Sequence, residues 1–350
     1  MGKALQIVLI GTLFWVLEGW SQQSGIRVIA GGDVMLGSWV IDVIEQNGMD
    51  YPFQHIQPML ETADVIFANL EAPFTTGGDP FPKKYNFKVP PEMAEVLKAG
   101  GINLVSLANN HILDYGIKGL TETLETLKKW DIHFAGAGMN LREARRPAIV
   151  TIGDWKIGFL AYSLTFPEEF WATDSTAGTC FPYHHFVFQD VEDLKKEVDW
   201  VIVSCHWGQE LMDRPKPYQI QLAHQLIDAG ADVILGHHPH VIQGIEIYRG
   251  KPIVYSLGNF IFGSYSENAK VSMLVEIRLR AGATYEIQVH PINVYNKEVE
   301  FQPRPLDGLS RQEFLNYLEN LSRELNISEV VISSDGKLTY KKKNPKHKVN

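Results

Sequence analysis

The stretch Asp232-Val233-Ile234-Leu235-Gly236-His237-His238-Pro239-His240 decides the reading of this 350-residue chain. A short apolar run stops at a glycine, and three imidazoles follow. Buried strands of α/β proteins deliver ligand-binding side chains just beyond their carboxyl ends in this way. Four other runs repeat the pattern. Arg27 to Ala30 leads into Gly31, Gly32 and Asp33, and Val65 to Ala68 leads into Asn69, Leu70 and Glu71. Asn103 to Leu107 precedes Asn109, Asn110 and His111, while Trp200 to Ser204 precedes His206, Trp207 and Gly208. Between the runs, helical spacing recurs at Ile117, Leu120, Leu124, Leu127 and Trp130, and at Ile220, Ala223, Leu226 and Ile227. Alternation of such strands and helices predicts an α/β layered fold. Five strand ends are expected to bring carboxylates, amides and imidazoles to one edge.

Beyond Ala148 the pattern changes to hairpins. Ile149 to Ile152 and Lys156 to Tyr162 flank a Gly153-Asp154 turn, and Ile245 to Tyr248 and Pro252 to Ser256 flank Arg249-Gly250. Lys270 to Arg280 and Thr284 to Tyr295 alternate apolar and polar residues, as strands with one buried face do. Ser310 and Glu313 read as a capping box, which predicts a helix over 310–325. The expected organisation is one elaborated domain over 25–299 and a C-terminal appendage over 300–350, made of that helix and a basic tail. At the other end, Lys3 precedes an apolar run from Ala4 to Leu17, and small residues precede a cut after Ser21. Residues 1–21 therefore read as a signal peptide or N-terminal anchor, with the rest exported to a periplasmic or extracellular location.

Composition narrows the chemistry. Twelve His against two Cys excludes thiolate metal sites of the zinc-finger kind. The formal charge is −9, and five lysines at the very end mask a body at −14, which repels a polyphosphate backbone and argues against nucleic acid as a partner. The sequence holds no G-x-S-x-G elbow, no P-loop and no H-E-x-x-H helix. Carboxylates, a carboxamide and imidazoles at the strand ends instead suit Mn²⁺, Zn²⁺ or Fe²⁺. His238 and His240, two apart in a segment read as extended, would point the same way. Cys180 and Cys205 read as buried thiols.

Six stretches together carry a resemblance. They are Gly32-Asp33-Val34-Met35-Leu36-Gly37, Asn69-Leu70-Glu71, Ala108-Asn109-Asn110-His111 with Asp114-Tyr115-Gly116, His206-Trp207-Gly208-Gln209-Glu210, Gly236-His237-His238-Pro239-His240 and Tyr255-Ser256-Leu257-Gly258-Asn259-Phe260. In this order they resemble the bacterial capsule-synthesis (CapA, poly-γ-glutamate synthesis) family, whose fold is similar to a calcineurin-type metallophosphoesterase. The resemblance implies a layered sandwich of mixed β-sheets flanked by helices, with a small C-terminal helical appendage. It implies one or two divalent cations. Asp33 would bind the first, Asn110 and His206 the second, and His238 and His240 one each. Glu71 would stand where a bridging Asp is usual, beside Asn69, and His111 would protonate a leaving group. Asn69, Asp114, Glu210, His237 and Asn259 would orient these groups.

Met35 departs from the pattern, because it lies where the phosphoesterase motif supplies a histidine to the first metal, and a thioether is a poor ligand for such cations. The function expected from the resemblance is an exported metal-dependent hydrolase or transferase acting at a phosphoester or a γ-glutamyl amide in capsule or poly-γ-glutamate synthesis. An anionic polymer or phosphoester substrate and a membrane-bound synthesis complex are the expected partners. The alternative is a noncatalytic polymer-binding or assembly subunit of such a complex.

Overall fold

The first apolar run continues past its glycines. In the computed structural model it forms a single strand, Ile26–Met35, that carries Asp33 inside it and not beyond its end. A register shift between Ala30 and Asp33 lets the chain pass neighbours that leave no room for side chains. A Cβ on Gly32 would lie 1.9 Å from the carbonyl oxygen of Gly258. The structure describes residues 25–341 except 183–185 and 328. The predicted signal segment and the lysines beyond Lys341 lie outside the described residues.

Two sheets face each other. The larger runs in spatial order Glu329–Ile332, Lys337–Lys341, Thr284–Asn293, Val271–Arg280, Ile26–Met35, Val65–Leu70, Leu104–Ser106 and His133–Ala135, and Asn259–Phe262 also pairs with Ile26–Met35. The smaller runs Ile245–Tyr248, Lys251–Val254, Val233–His237, Trp200–His206, Trp155–Ser163 and Ala148–Ile152. Both have parallel central strands; the two hairpins read from the sequence form antiparallel pairs, and so do the two alternating strands Val271–Arg280 and Thr284–Asn293. The runs expected at one edge therefore divide between the sheets. The first three belong to the larger and the last two to the smaller.

Strand alternation sends half of each strand's side chains inward. Val28, Ala30, Val65 and Phe67 of the larger sheet pack with Phe159, Ile202, Val233 and Leu235 of the smaller in one buried cluster. The opposite faces are covered by helices: Leu120, Leu124 and Leu127 of Gly116–Lys129 lie in the cluster behind the larger sheet, and Leu222, Ala223 and Leu226 of Pro217–Asp228 behind the smaller. The result is the layered sandwich of mixed sheets flanked by helices that the sequence implies. Each fully buried Leu or Phe here contributes about 1.5–3 kcal/mol. Ile117 departs from its predicted stripe and is 60% exposed, because it sits in the first helical turn, off the buried face.

The helix predicted over 310–325 spans Gly308–Leu325 and buries Phe314, Leu315, Leu318 and Leu321 against the inter-sheet cluster. The predicted capping box does not form. The helix starts two residues early, so Asp307 is the N-cap and Ser310 is already helical. Two strands that the sequence reading did not place follow it and extend the larger sheet. Cys180 and Cys205 are both free and buried.

Candidate metal centre

Register brings the polar residues together. Asp33 pairs with Asn69 on one side and Asn259 on the other, so the three share a rung of the larger sheet. His206 and His237 share a rung of the smaller. These rungs meet at one end of the sandwich. Asn69 Nδ2 donates to Asp33 Oδ1 at 2.9 Å and to His206 Nδ1 at 3.2 Å, which ties the two sheets through one carboxamide. Close strand packing is a condition of this meeting, since a Cβ on Gly236 would lie 1.9 Å from the Tyr255 carbonyl oxygen.

Glu71 stands at the centre. Its Oε1 lies 3.7 Å from His206 Nε2 and 3.9 Å from His240 Nε2. Two triads share it: Asp33, Glu71 and His240 on one side, and Glu71, His206 and His238 on the other, with the potential ligand atoms of each triad within 4.8 Å of one another. Asn110 joins the second group, its Oδ1 accepting from His206 Nε2 at 2.7 Å. The six residues named as ligands by the resemblance thus converge in the structure. A divalent cation fits them on the structure's own terms. Glu71 Oε1 and His238 Nδ1 are buried without a hydrogen-bond partner, a costly condition that a cation between them would relieve.

One expectation about the backbone is corrected. His238 and His240 do not lie on an extended segment, because the strand ends at His237 and both residues take left-handed conformations, with φ of 92° and 59°. Such conformations cost roughly 1–3 kcal/mol each and gather at functional sites. Their consequence is a divergence: His238 turns to the His206 side and His240 to the Asp33 side.

Burial and neighbours set the charges. Burial pushes the Glu71 carboxyl well above the usual carboxylate range, and the nearby Asp33 charge adds to this. Burial alone would raise Asp33 too, but His237 and His240, each 3.3 Å away, outweigh it and hold Asp33 well below that range. His237 Nδ1 lies there without hydrogen-bond alignment. His240 is pushed up to about 10, the Glu71 and Asp33 carboxylates overcoming its burial. Burial, then the charge of His240, pushes His238 down to about 3. His206 falls well below its usual value by burial and by His238.

The orienting residues divide. Asn259 Oδ1 lies 2.9 Å from His240 Nδ1, which leaves Nε2 facing Glu71. Asp114 Oδ2 lies 2.7 Å from His111 Nδ1, so His111 donates there and keeps Nε2 for chemistry; burial lowers its pKa. Glu210 is exposed and stands at the rim. Met35 is a core residue: it is buried, and its Sδ accepts from Gly37 N at 3.2 Å. Two further contributors were not named among the site residues, and of these only Lys83 had no signal in the sequence. Lys83 bonds to Asp114 and to the Asn110 carbonyl from a loop without periodicity. Asn109, read only as a strand-end amide, donates to Asn69 Oδ1 and the Leu70 carbonyl and accepts from His111 N, so it fixes the loop that carries Asn110 and His111.

Residues 27–264, which contain every one of these groups, match the family described as "Bacterial capsule synthesis protein PGA_cap". The chain belongs to this family. Among its relatives, the PGA biosynthesis protein CapA of Bacillus subtilis is 33% identical over 88% of this chain and 80% of its own length. The capsule biosynthesis protein CapA of Bacillus anthracis is 32% identical over 79% of this chain and 68% of its own. A probable polyglutamine synthesis accessory protein of Mycobacterium tuberculosis is 29% identical over 87% and 93%. Among solved structures, a hypothetical protein from Thermus thermophilus aligns with a TM-score of 0.47 at 17% identity, over 77% of this chain and 99% of that one.

Proposed function

We propose that this chain is an exported, metal-dependent hydrolase or transferase in capsule or poly-γ-glutamate synthesis, the process named for its relatives. Asp33, Glu71 and His240 would hold one divalent cation, and Glu71, His206, His238 and Asn110 a second. The observation that carries the reading is the shared Glu71 carboxylate with unpaired buried donors around it, opening beside His111. A cation bound there supplies a polarised scissile group and a water acidified towards neutrality. His111 handles the proton at Nε2. In hydrolysis of a γ-glutamyl amide, the water oxygen bonds to the carbonyl carbon, the C–N bond breaks with its electrons on nitrogen, and nitrogen takes the proton. The amide is the bond a γ-glutamyl polymer contains, and a phosphoester is the other class to be tried.

Met35 favours a second reading, a noncatalytic polymer-binding or assembly subunit. With the thioether in the core, the Asp33 side has three ligands. Three protein ligands with an open position are also what catalytic zinc sites use, so the count alone does not favour inactivity. The test is turnover by the chain loaded with Mn²⁺ or Zn²⁺, on oligo-γ-glutamate and on phosphoesters. The expected result is chelator-sensitive cleavage that His111→Ala lowers by about 10²–10⁴-fold. No turnover on either class, or turnover indifferent to that substitution, overturns the enzyme reading. Export is tested by the N-terminus of the mature chain, expected after Ser21 for a cleaved signal and at the start for an anchor. For the described residues, no helix is long and apolar enough to cross a membrane.

A further inference from the structure

The candidate centre lies between two cavities. One, of about 700 Å³, has Asn110 and His238 in its wall, and the other, of about 550 Å³, has His111, His240 and Asn259. Glu210 borders both, so they adjoin at the rim of the centre. Each matches a complete small-molecule pocket in size, about 300–1,000 Å³. Two adjoining cavities exceed what one small substrate or a single terminal unit fills.

The walls point to the class of occupant. Among the described residues, six aromatic side chains are exposed, and four of them line these two cavities. Phe166, 70% exposed, stands on the first, next to the stacked pair Trp171 and Phe181. Trp39, Tyr85 and Tyr265 stand on the second, with Trp39 and Tyr265 rings 5.2 Å apart. Aromatic faces held open on both sides of a polar centre suit a chain with repeated apolar spacers. A γ-glutamyl chain has a pair of methylenes in each unit. Its carboxylates would find Lys216 on the first cavity. At the junction Glu210 repels carboxylates and leaves the uncharged amide as the group that fits beside the centre.

We propose that the centre takes an internal linkage of an extended γ-glutamyl chain, with one stretch in each cavity. This rests on the proposed role in polymer synthesis and adds where along the polymer the site acts. Cleavage there adds one water across one internal C–N bond and yields two shorter chains, one ending in a new γ-carboxylate and one in a new amine.

The experiment is binding of fluorescently labelled oligo-γ-glutamates of increasing length to the Mn²⁺-loaded chain, with product sizes followed in parallel. Affinity is expected to rise with length until both cavities are occupied. Phe166→Ala and Tyr265→Ala, both at exposed positions and checked for folding by thermal melting, are each expected to weaken long chains about tenfold. Short chains should respond to at most one of the two. Affinity independent of length, sensitivity to substitutions in one cavity alone, or no binding at any length overturns the inference. Length-dependent binding that needs both cavities but gives no cleavage upholds the inference and removes the hydrolase reading. Cleavage one unit at a time from an end, with length-independent affinity, does the reverse.

Discussion

On one side of Glu71 stand Asp33 and His240, 3.3 Å apart and oppositely charged; on the other stand His206, His238 and Asn110, all uncharged at neutral pH. The first side has already compensated its charges without a cation, because His240 keeps a proton that the carboxylates stabilise. On the second side the His238 ring offers an unpartnered nitrogen and holds no extra proton near neutrality. A cation arriving beside Asp33 displaces a proton and disrupts an ion pair, whereas one arriving beside His238 relieves an unpartnered ring nitrogen. The neutral side should therefore fill first.

The strongest way to break this comparison is to remove what the sides share. Glu71→Gln is expected to abolish binding on both, with affinity falling by more than the roughly 10–100-fold typical of losing a partner that merely orients a ligand. Elemental analysis after dialysis reads this, and retention of either cation contradicts it. Next in size, His238→Ala should remove the tighter cation and His240→Ala only the weaker. Equal losses in a calorimetric titration would show that the sides do not differ.

Proton counting sharpens the comparison. Below its raised value of about 10, His240 carries a proton that a cation must displace. Affinity on that side should rise with pH, by up to about tenfold per unit where one proton is released. His238, pushed down to about 3, gives the other side no such dependence through its own ring near neutrality. Titrations in buffers of different ionisation enthalpy measure the difference. The smallest effect is expected from Met35→His, which offers the Asp33 side a fourth ligand. About a tenfold gain in the weaker affinity is the predicted result, against a stability cost of about 1–3 kcal/mol from a polar ring in the core. A gain without any loss of stability would mean that Met35 does not pack as described.

Much of this was legible in the sequence because strand-end chemistry is local. The run Gly236 to His240 shows its histidines, and hairpins around Gly153 and Gly250 announce themselves by their turns. The convergence of Asp33, Glu71, Asn110, His206, His238 and His240 was also expected, though through the wrong geometry. Strand periodicity does not say which strands share a sheet, so the two-sheet meeting was invisible. Nor does composition reveal the left-handed backbone at His238 and His240, since neither is glycine. Lys83 was missed because a loop has no period to mark its inward side chain. The strands after the last helix were missed because Glu329–Ile332 and Lys337–Lys341 are short, polar on one face and adjacent to a lysine run.

The two unlike cation positions proposed here share Glu71. Anomalous diffraction from crystals soaked in Mn²⁺ at neutral pH tests this most directly. Two peaks flanking the Glu71 carboxylate are expected, stronger on the His206 and His238 side and weaker on the Asp33 and His240 side. No peak among these residues, or the stronger peak beside Asp33, would contradict this.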